Sequence, residues 1–174
     1  MVALTRLLRR FARAESGAEI IEFGLTLPLL LLVVLGIIEY GFVFQQYEVV
    51  TNAAREGARI AVLPNYANTV AAAQTNVTAR VDEYLTSAGL STAAADRKVC
   101  GGNITAVKPC TGDWKFVKDT LSPGVCVYSF PVRVEYQHPV PFIGGIARYF
   151  GRTLGTMTLS AVARMRSEAA AAGC

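Results

Sequence analysis

The sequence predicts an α+β fold in which an N-terminal membrane-spanning helix extends into a small antiparallel sheet domain. One observation is the segment from Phe23 to Ile38, which contains no charged residue, in a chain that is 52% hydrophobic and only 17% charged. Soluble proteins carry about 25% charged residues, so this segment is typical of a membrane anchor. A second observation is that two C-terminal segments alternate between apolar and polar residues, which is the pattern of half-buried strands.

The anchor is long enough to cross a bilayer. As a helix at about 1.5 Å per residue, the apolar segment from Phe23 to Phe44 would be roughly 33 Å long, against a bilayer core of about 30 Å. Four arginines precede it and predict a cytoplasmic N-terminus by the positive-inside rule: Arg6, Arg9, Arg10 and Arg13. A cleaved signal peptide is the alternative, but its apolar region would be about 7–15 residues long and an A-x-A site would follow.

Two residues of the anchor are unusual for a membrane helix. Glu22 immediately precedes the apolar run, where an acidic side chain is costly unless it reaches the interface or has a partner. It is either an acid that extends to the interface or a functional group. Pro28 lies two turns further on and is expected to kink the helix or free a backbone carbonyl.

The residues around Glu22 form a recognisable motif. They read GAEIIEF from Gly17 to Phe23, behind a short basic leader. This resembles the processing site of type IV pilins. The resemblance implies that a prepilin peptidase cuts after Gly17, so that Ala18 becomes the first residue and Glu22 the fifth. The new α-amino group could then pair with Glu22, in the same chain or in a neighbour, where the low dielectric strengthens the pair.

The resemblance continues beyond the anchor. The chain reads GIIEYG from Gly36 to Gly41, AAREGAR from Ala53 to Arg59 and TLSAVARMR from Thr158 to Arg166. Together with Glu22, Phe23 and Pro28, these segments are similar to the TadE-like branch of the tight-adherence (Tad/Flp) pilus pseudopilins. The resemblance implies a type IV pilin-like fold and a structural role in pilus assembly. The region from Asn65 to Val125 resembles no known family.

The TadE-like resemblance also implies a location and partners. The protein would be in a bacterial inner membrane, with its C-terminal domain in the periplasm, and could enter the pilus. Its partners would be membrane lipid, prepilin peptidase, other pilins or pseudopilins, and the inner-membrane assembly platform. Many major Flp pilins consist of little more than leader and helix, whereas this chain has over a hundred residues beyond its anchor. That difference favours a pseudopilin or minor pilin over the main fibre subunit.

These observations divide the chain into four parts. Residues 1–17 are the basic cytoplasmic leader, 18–46 the transmembrane helix, 47–64 its continuation, and 65–174 the exported domain. In the continuation, Ala53, Gly57 and Ala61 recur every four residues and allow close helix packing. This stripe could seat the helix on its own domain or on neighbouring subunits. The adjacent Arg55 and Glu56 are expected in salt bridges.

The first half of the exported domain is predicted to contain one helix followed by loops. Val70, Val77, Val81 and Leu85 have helical spacing and predict a helix from about Thr69 to Ala88, with Gly89 as its C-cap. The segment from Ser91 to Gly124 is rich in Gly, Thr, Asp and Lys, so we expect loops and short strands there, including a strand at residues 104–107.

The second half is predicted to contain two strands. One extends from Val125 to Tyr136, with Pro131 indicating an edge or bulge, and Pro139 and Pro141 end it. The other extends from Thr156 to Arg166. Residues 142–150 between them are expected to form a short helix or an apolar loop, and the tail beyond residue 166 to be flexible unless Cys174 is bridged.

All four cysteines lie in the exported domain. Cys100, Cys110, Cys126 and Cys174 form an even set, which suggests disulfides in an oxidising compartment. Four cysteines allow three pairings, and the sequence does not choose among them. They are separated by nine, fifteen and forty-seven residues with no C-x-x-C, so a zinc site is not expected.

The sequence contains no recognisable catalytic site. His138 is the only histidine and is expected in a turn at a strand end, without a nucleophile or acid partner. No cofactor motif is present, and no small-molecule substrate is expected. With the leader set aside the chain is near neutral, which does not indicate nucleic-acid binding. The alternative to a pilus role is a membrane-tethered periplasmic binding or scaffold module outside any filament; an exported enzyme would need catalytic residues that are not evident.

Overall fold

The computed structural model describes residues 15–63, 70–102, 114–122, 125–152 and 155–171. The chain forms two compact units, Met1–Gly41 and Phe42–Cys174. The elements in chain order are α1 (Glu15–Ala61), α2 (Val70–Ser87), β1 (Arg97–Gly101), β2 (Val117–Ser122), β3 (Val125–Pro139), α3 (Pro141–Tyr149) and β4 (Thr156–Ala171). A long apolar N-terminal helix is thus followed by a small antiparallel sheet with further helices, and the predicted α+β layout is confirmed.

Helix α1 is far longer than a bilayer is thick. It has 47 residues and continues through Pro28 without interruption. At about 1.5 Å per residue it measures roughly 70 Å, more than twice the bilayer core of about 30 Å. Only part of α1 can therefore lie in a membrane, and its C-terminal part, from Phe42 to Ala61, belongs to the second unit.

The sheet of the second unit is organised around β3. Strand β4 pairs antiparallel with β3 along nearly its whole length, from Pro139↔Thr156 to Cys126↔Ala171. Strands β1 and β2 share the other edge of β3, since β1 pairs with residues 132–136 and β2 with residues 125–129. This arrangement makes β3 the central strand of four.

The core of the second unit lies between the sheet and the two helices. Every second residue of β3 in its middle part faces the helices and is buried, as the alternation predicts: Phe130, Val132, Val134 and Tyr136. They pack in one cluster with Val77, Val81 and Leu85 of α2 and with small residues of α1. The other face of β3 is also partly covered, because Ser129 and Arg133 are buried. The strand is therefore more deeply buried than a half-exposed one.

Helix α2 begins and ends within a residue of the prediction. Gly89 follows it with φ +75°, a conformation that glycine adopts without steric cost. The Leu90 N–H donates to the Leu85 carbonyl at 2.9 Å, and the Gly89 N–H donates to the Thr86 carbonyl at 2.9 Å. This pair of bonds is a Schellman motif, so the predicted C-cap is confirmed.

The predicted edge or bulge position of Pro131 is wrong, because Pro131 lies in the middle of the central strand. Its carbonyl accepts a hydrogen bond from the Gly102 N–H at 3.1 Å, so its nitrogen faces the same edge of β3. On that edge β1 pairing ends at Val132 and β2 pairing ends at Ser129. Pro131 occupies the gap between them, where its missing N–H removes no ladder hydrogen bond.

Other boundaries differ from the sequence prediction in detail. Strands β1 and β2 fall in the segment expected to be loops and short strands, while the strand predicted at residues 104–107 lies outside the described residues. Residues 141–149 form a helix. Strand β4 continues to Ala171 beyond its predicted end at Arg166. Ala170 and Ala171 pair with Val127 and Cys126 of β3, after a shift in register. The tail was expected to be flexible unless Cys174 is bridged, and Cys174 lies outside the described residues.

Candidate assembly segment

The first unit presents an apolar helical surface. Within the described residues there is one helix long and apolar enough to cross a membrane, and its most apolar part is not buried in the chain. Its large apolar side chains are exposed in the single chain, for example Leu25 at 75% and Ile37 at 67%. Such a surface requires lipid or other apolar helices around it.

The residues of the predicted processing site lie at the start of α1. Gly17 is buried, whereas Ala18 and Glu22 are exposed. Ala18 and Glu22 are four residues apart in a helix, so they lie on the same face about one turn from each other. Phe23 is 62% exposed. Within the described part of the chain, the Glu22 carboxylate makes no hydrogen bond or ion pair. It is exposed and so can be reached by a charged group of another molecule.

The small residues of the AAREGAR segment pack inside the second unit. Ala53, Ala54, Ala58 and Ala61 are fully buried in its core. At Gly57, an added Cβ would lie 2.9 Å from Val81 Cγ2, 3.3 Å from Val77 Cγ1 and 3.4 Å from Val132 Cγ1. The stripe therefore seats α1 against α2 and β3 of its own domain, the first of the two alternatives that the sequence left open.

Glu56 joins the two helices of the second unit through an ion-pair network. It accepts hydrogen bonds from Arg59 at 2.7 Å and from Arg80 at 2.9 Å. Arg80 also donates to Glu83 at 2.8 Å. The hydrogen bonds from Arg59, and then those from Arg80, lower the pKa of Glu56 from 4.5 to about 2, against the opposing effect of burial. The expectation that Glu56 forms a salt bridge is confirmed, while Arg55 contacts Asn52 at 3.5 Å.

A buried polar contact ties the end of β3 to α1. His138 Nδ1 lies 2.6 Å from Gln46 Oε1, which makes Nδ1–H the donor to the amide oxygen. His138 is only 4% exposed. It lies near a strand end, as expected, but in β3 and not in a turn. The sequence offered no indication of its partner, which is 92 residues away in the chain.

The structure describes the side chain of one of the four cysteines. Cys100, at the end of β1, is buried and disulfide-bonded. The side chains of Cys110, Cys126 and Cys174 lie outside the described residues, so the pairing is not assigned by direct observation. Among the side chains that are described, no group of three or more His, Cys, Asp or Glu residues could hold a metal ion.

One comparison with known proteins found a match, and it lies in the N-terminal segment. Residues 17–59 match the model of the family described as TadE-like protein. Searches of curated proteins and of solved structures found no match. The matched range begins at Gly17 and ends at Arg59, and so includes Glu22, the apolar helix and the AAREGAR segment. The resemblance stated from the sequence is confirmed over these residues: residues 17–59 are similar to the TadE-like family.

Proposed function

We propose that this chain is a pseudopilin or minor pilin of a Tad/Flp pilus, anchored in the bacterial inner membrane and processed by prepilin peptidase. Its role is structural, as a membrane-anchored component of pilus assembly. The observation on which the proposal chiefly depends is the TadE-like match over residues 17–59, which coincides with a continuous apolar helix. The exposed Glu22 near the start of that helix is the second support.

The proposed processing step is hydrolysis of the peptide bond between Gly17 and Ala18. Water adds across this bond, leaving a carboxylate on Gly17 and a protonated α-amino group on Ala18. The leader removed with Gly17 contains the four arginines that orient the anchor in the membrane. The mature helix then begins with one positive charge, one helical turn from the Glu22 carboxylate.

The charge of Glu22 gives the mature helix a specific contact. Inside a bilayer or a bundle of apolar helices, an isolated carboxylate is strongly disfavoured, whereas a carboxylate paired with an ammonium group is tolerated. In an assembly, Glu22 of one subunit can pair with the Ala18 amine of its neighbour. The uncharged segment from Phe23 to Ile38 would then contact the helices of neighbouring subunits instead of lipid.

The second unit is proposed to lie in the periplasm. The arginine-rich leader favours a cytoplasmic N-terminus, so the chain after the anchor would be on the opposite side. A disulfide at Cys100 is consistent with that oxidising compartment. We propose the same domain boundaries as those predicted from the sequence, with residues 18–46 spanning the membrane and residues 65–174 exported.

Substitution of Glu22 tests the proposed assembly contact. The Glu22→Ala protein should insert in the membrane but lose most pilus assembly, because the Ala18 amine has no carboxylate partner. Glu19→Ala is the matched control, since Glu19 is an exposed acid on the same helix but lies next to Ala18 and not one turn away. Pili recovered by shearing, and membrane fractions probed for the protein, give the two readouts.

Two results would argue against this role. Normal piliation with Glu22→Ala would contradict the pairing of Glu22. Normal piliation in a strain that lacks the whole protein, with the protein present only in membranes, would support a tethered scaffold or binding module outside the filament.

A further inference from the structure

Helix α3 is an apolar helix that lies on the surface of the second unit. It spans Pro141–Tyr149, and none of its residues is buried. Its aromatic and aliphatic side chains are exposed to solvent, with Tyr149 at 88%, the following Phe150 at 75%, and Phe142 and Ile143 at about two-fifths each. Met157, at the start of β4, is also 42% exposed. We call these five side chains the α3 patch. Apolar residues grouped in this way mark a binding surface.

The hydrogen bond between His138 and Gln46 locates the α3 patch along the chain. Gln46 lies two residues after Phe44, the last residue of the apolar segment, or about 3 Å further along the helix axis. His138 contacts Gln46, and α3 starts three residues after His138, within about 11 Å of chain. Met157 pairs with His138 in the sheet. The patch therefore lies near the end of the second unit at which α1 enters it.

The charged residues that flank the α3 patch in the sequence are positive. No acidic residue occurs between Glu135 and Glu168, whereas Arg148 and Arg152 lie in and just after α3. Both arginines are exposed. A short helix with aromatic side chains and adjacent arginines is typical of a segment that lies in the membrane interface. The arginines can then bind lipid phosphates while the rings enter the acyl boundary.

We propose that the α3 patch binds the surface of the bilayer that the anchor spans, with anionic phospholipid headgroups at Arg148 and Arg152. The patch would hold the second unit against the membrane. An interfacial helix of this kind buries its apolar face by about 5–10 Å at the boundary between headgroups and acyl chains. This inference requires the anchor to span the bilayer but does not require processing or assembly.

Depth-dependent fluorescence quenching tests this inference on the full chain. The protein is reconstituted in vesicles of phosphatidylcholine and phosphatidylglycerol, with and without brominated phospholipids. Trp114, the only tryptophan, is 9% exposed, and its emission from the protein core is the baseline to which each added tryptophan is compared. The emission added by Phe150→Trp should be mostly quenched by the bromines. Tyr128→Trp is the matched control, because Tyr128 lies ten residues from His138 on β3, roughly 33 Å away at about 3.3 Å per residue.

A third variant separates this inference from the anchor itself. Leu32→Trp places a tryptophan in the middle of the apolar segment, where the bromines should quench it if the helix spans the bilayer. Quenching of Leu32→Trp without quenching of Phe150→Trp would overturn the membrane contact of α3 alone. No quenching of either variant would instead reject the anchor and, with it, the α3 proposal. Equal quenching of Phe150→Trp in vesicles without phosphatidylglycerol would contradict the role of the two arginines.

Discussion

Glu56 gives the AAREGAR segment a polar contact between two helices, in addition to the packing of its small residues. Its carboxylate is 20% exposed and accepts from an arginine on each of two helices. Arg59 lies one turn away on α1, and Arg80 lies on α2. The segment that matches the TadE-like model therefore includes a contact that joins the end of α1 to α2.

Replacing Glu56 with Gln should reduce the stability of the second unit by about 1 kcal/mol, the upper end for ion pairs with solvent-exposed partners. Because the folded pKa is about 2 against an ordinary 4.5, the stabilisation is complete above pH 4.5 and is lost as the pH falls toward 2. The difference between wild type and Glu56→Gln should therefore disappear over that range. Denaturant unfolding of the full chain in mild detergent, followed by Trp114 emission, measures it.

The matched control for this prediction is Glu83→Gln. Glu83 pairs with the same Arg80 but is 69% exposed and only three residues away on the same helix. Its replacement should change stability by less than about 0.5 kcal/mol. An equal loss in both variants, or a difference for Glu56→Gln that does not change with pH, would show that Glu56 does not act through its ionised carboxylate.

Single residues also mark the limit of what the sequence could predict. The expectation of a salt bridge at Glu56 needed only its charge and helical context. The burial of His138 could not be inferred, because its partner Gln46 lies on α1, 92 residues earlier. The edge or bulge expected at Pro131 is wrong because proline is excluded from a central strand only where a neighbouring strand needs its N–H. Here the pairing of β1 and the pairing of β2 with β3 both stop short of Pro131, so no neighbour needs that N–H.

At the scale of elements, periodicity decided which predictions succeeded. Helix α2 and strands β3 and β4 have a repeating apolar pattern and were predicted. Strands β1 and β2 read RKVCG and VKDTLS, and neither has a sustained alternation of apolar and polar residues. Their place in the sheet depends on pairing with β3, a tertiary contact that local sequence does not encode. The TadE-like segment was recognisable for a different reason, namely its motif.

The strand register also limits the disulfide pairing. Cys100 is opposite Arg133 on β3, and Cys126 lies seven residues from Arg133, roughly 23 Å away at about 3.3 Å per residue. A disulfide needs Cα atoms within about 7 Å, so Cys100 cannot pair with Cys126. Ala171 pairs with Cys126 on the opposite edge of β3, and Cys174 can extend only about 11 Å beyond Ala171. Cys174 therefore does not reach Cys100 either.

We expect disulfides Cys100–Cys110 and Cys126–Cys174, the one pairing of the three that remains. Proteolysis of the non-reduced protein followed by mass spectrometry should yield these two cross-linked peptide pairs. Cys110→Ser and Cys174→Ser should each abolish one pair and leave the other intact. A cross-link between Cys100 and either Cys126 or Cys174 would contradict the strand register.

At the scale of the whole molecule, the chain combines a segment similar to a known family with a domain for which no match was found. The TadE-like match covers residues 17–59. Helix α2, the sheet and helix α3 lie outside this match, so their description comes from the structure alone. The end of α1 belongs to both parts, because its small residues are at once family signature and domain core. We therefore expect the anchor to define the assembly pathway and the exported domain to define what this particular subunit contacts.

The measurement that tests the central claim most directly is the mass of the mature N-terminus. The full chain is expressed with and without a prepilin peptidase, extracted from membranes and analysed by mass spectrometry. We predict that the peptidase produces a chain beginning at Ala18. Gly17→Val should remain uncut, whereas Gly24→Val, at a helix glycine with no heavy atom within 4 Å of an added Cβ, should be cut normally. A chain that keeps its leader in the presence of the peptidase, or that begins elsewhere, would contradict the account.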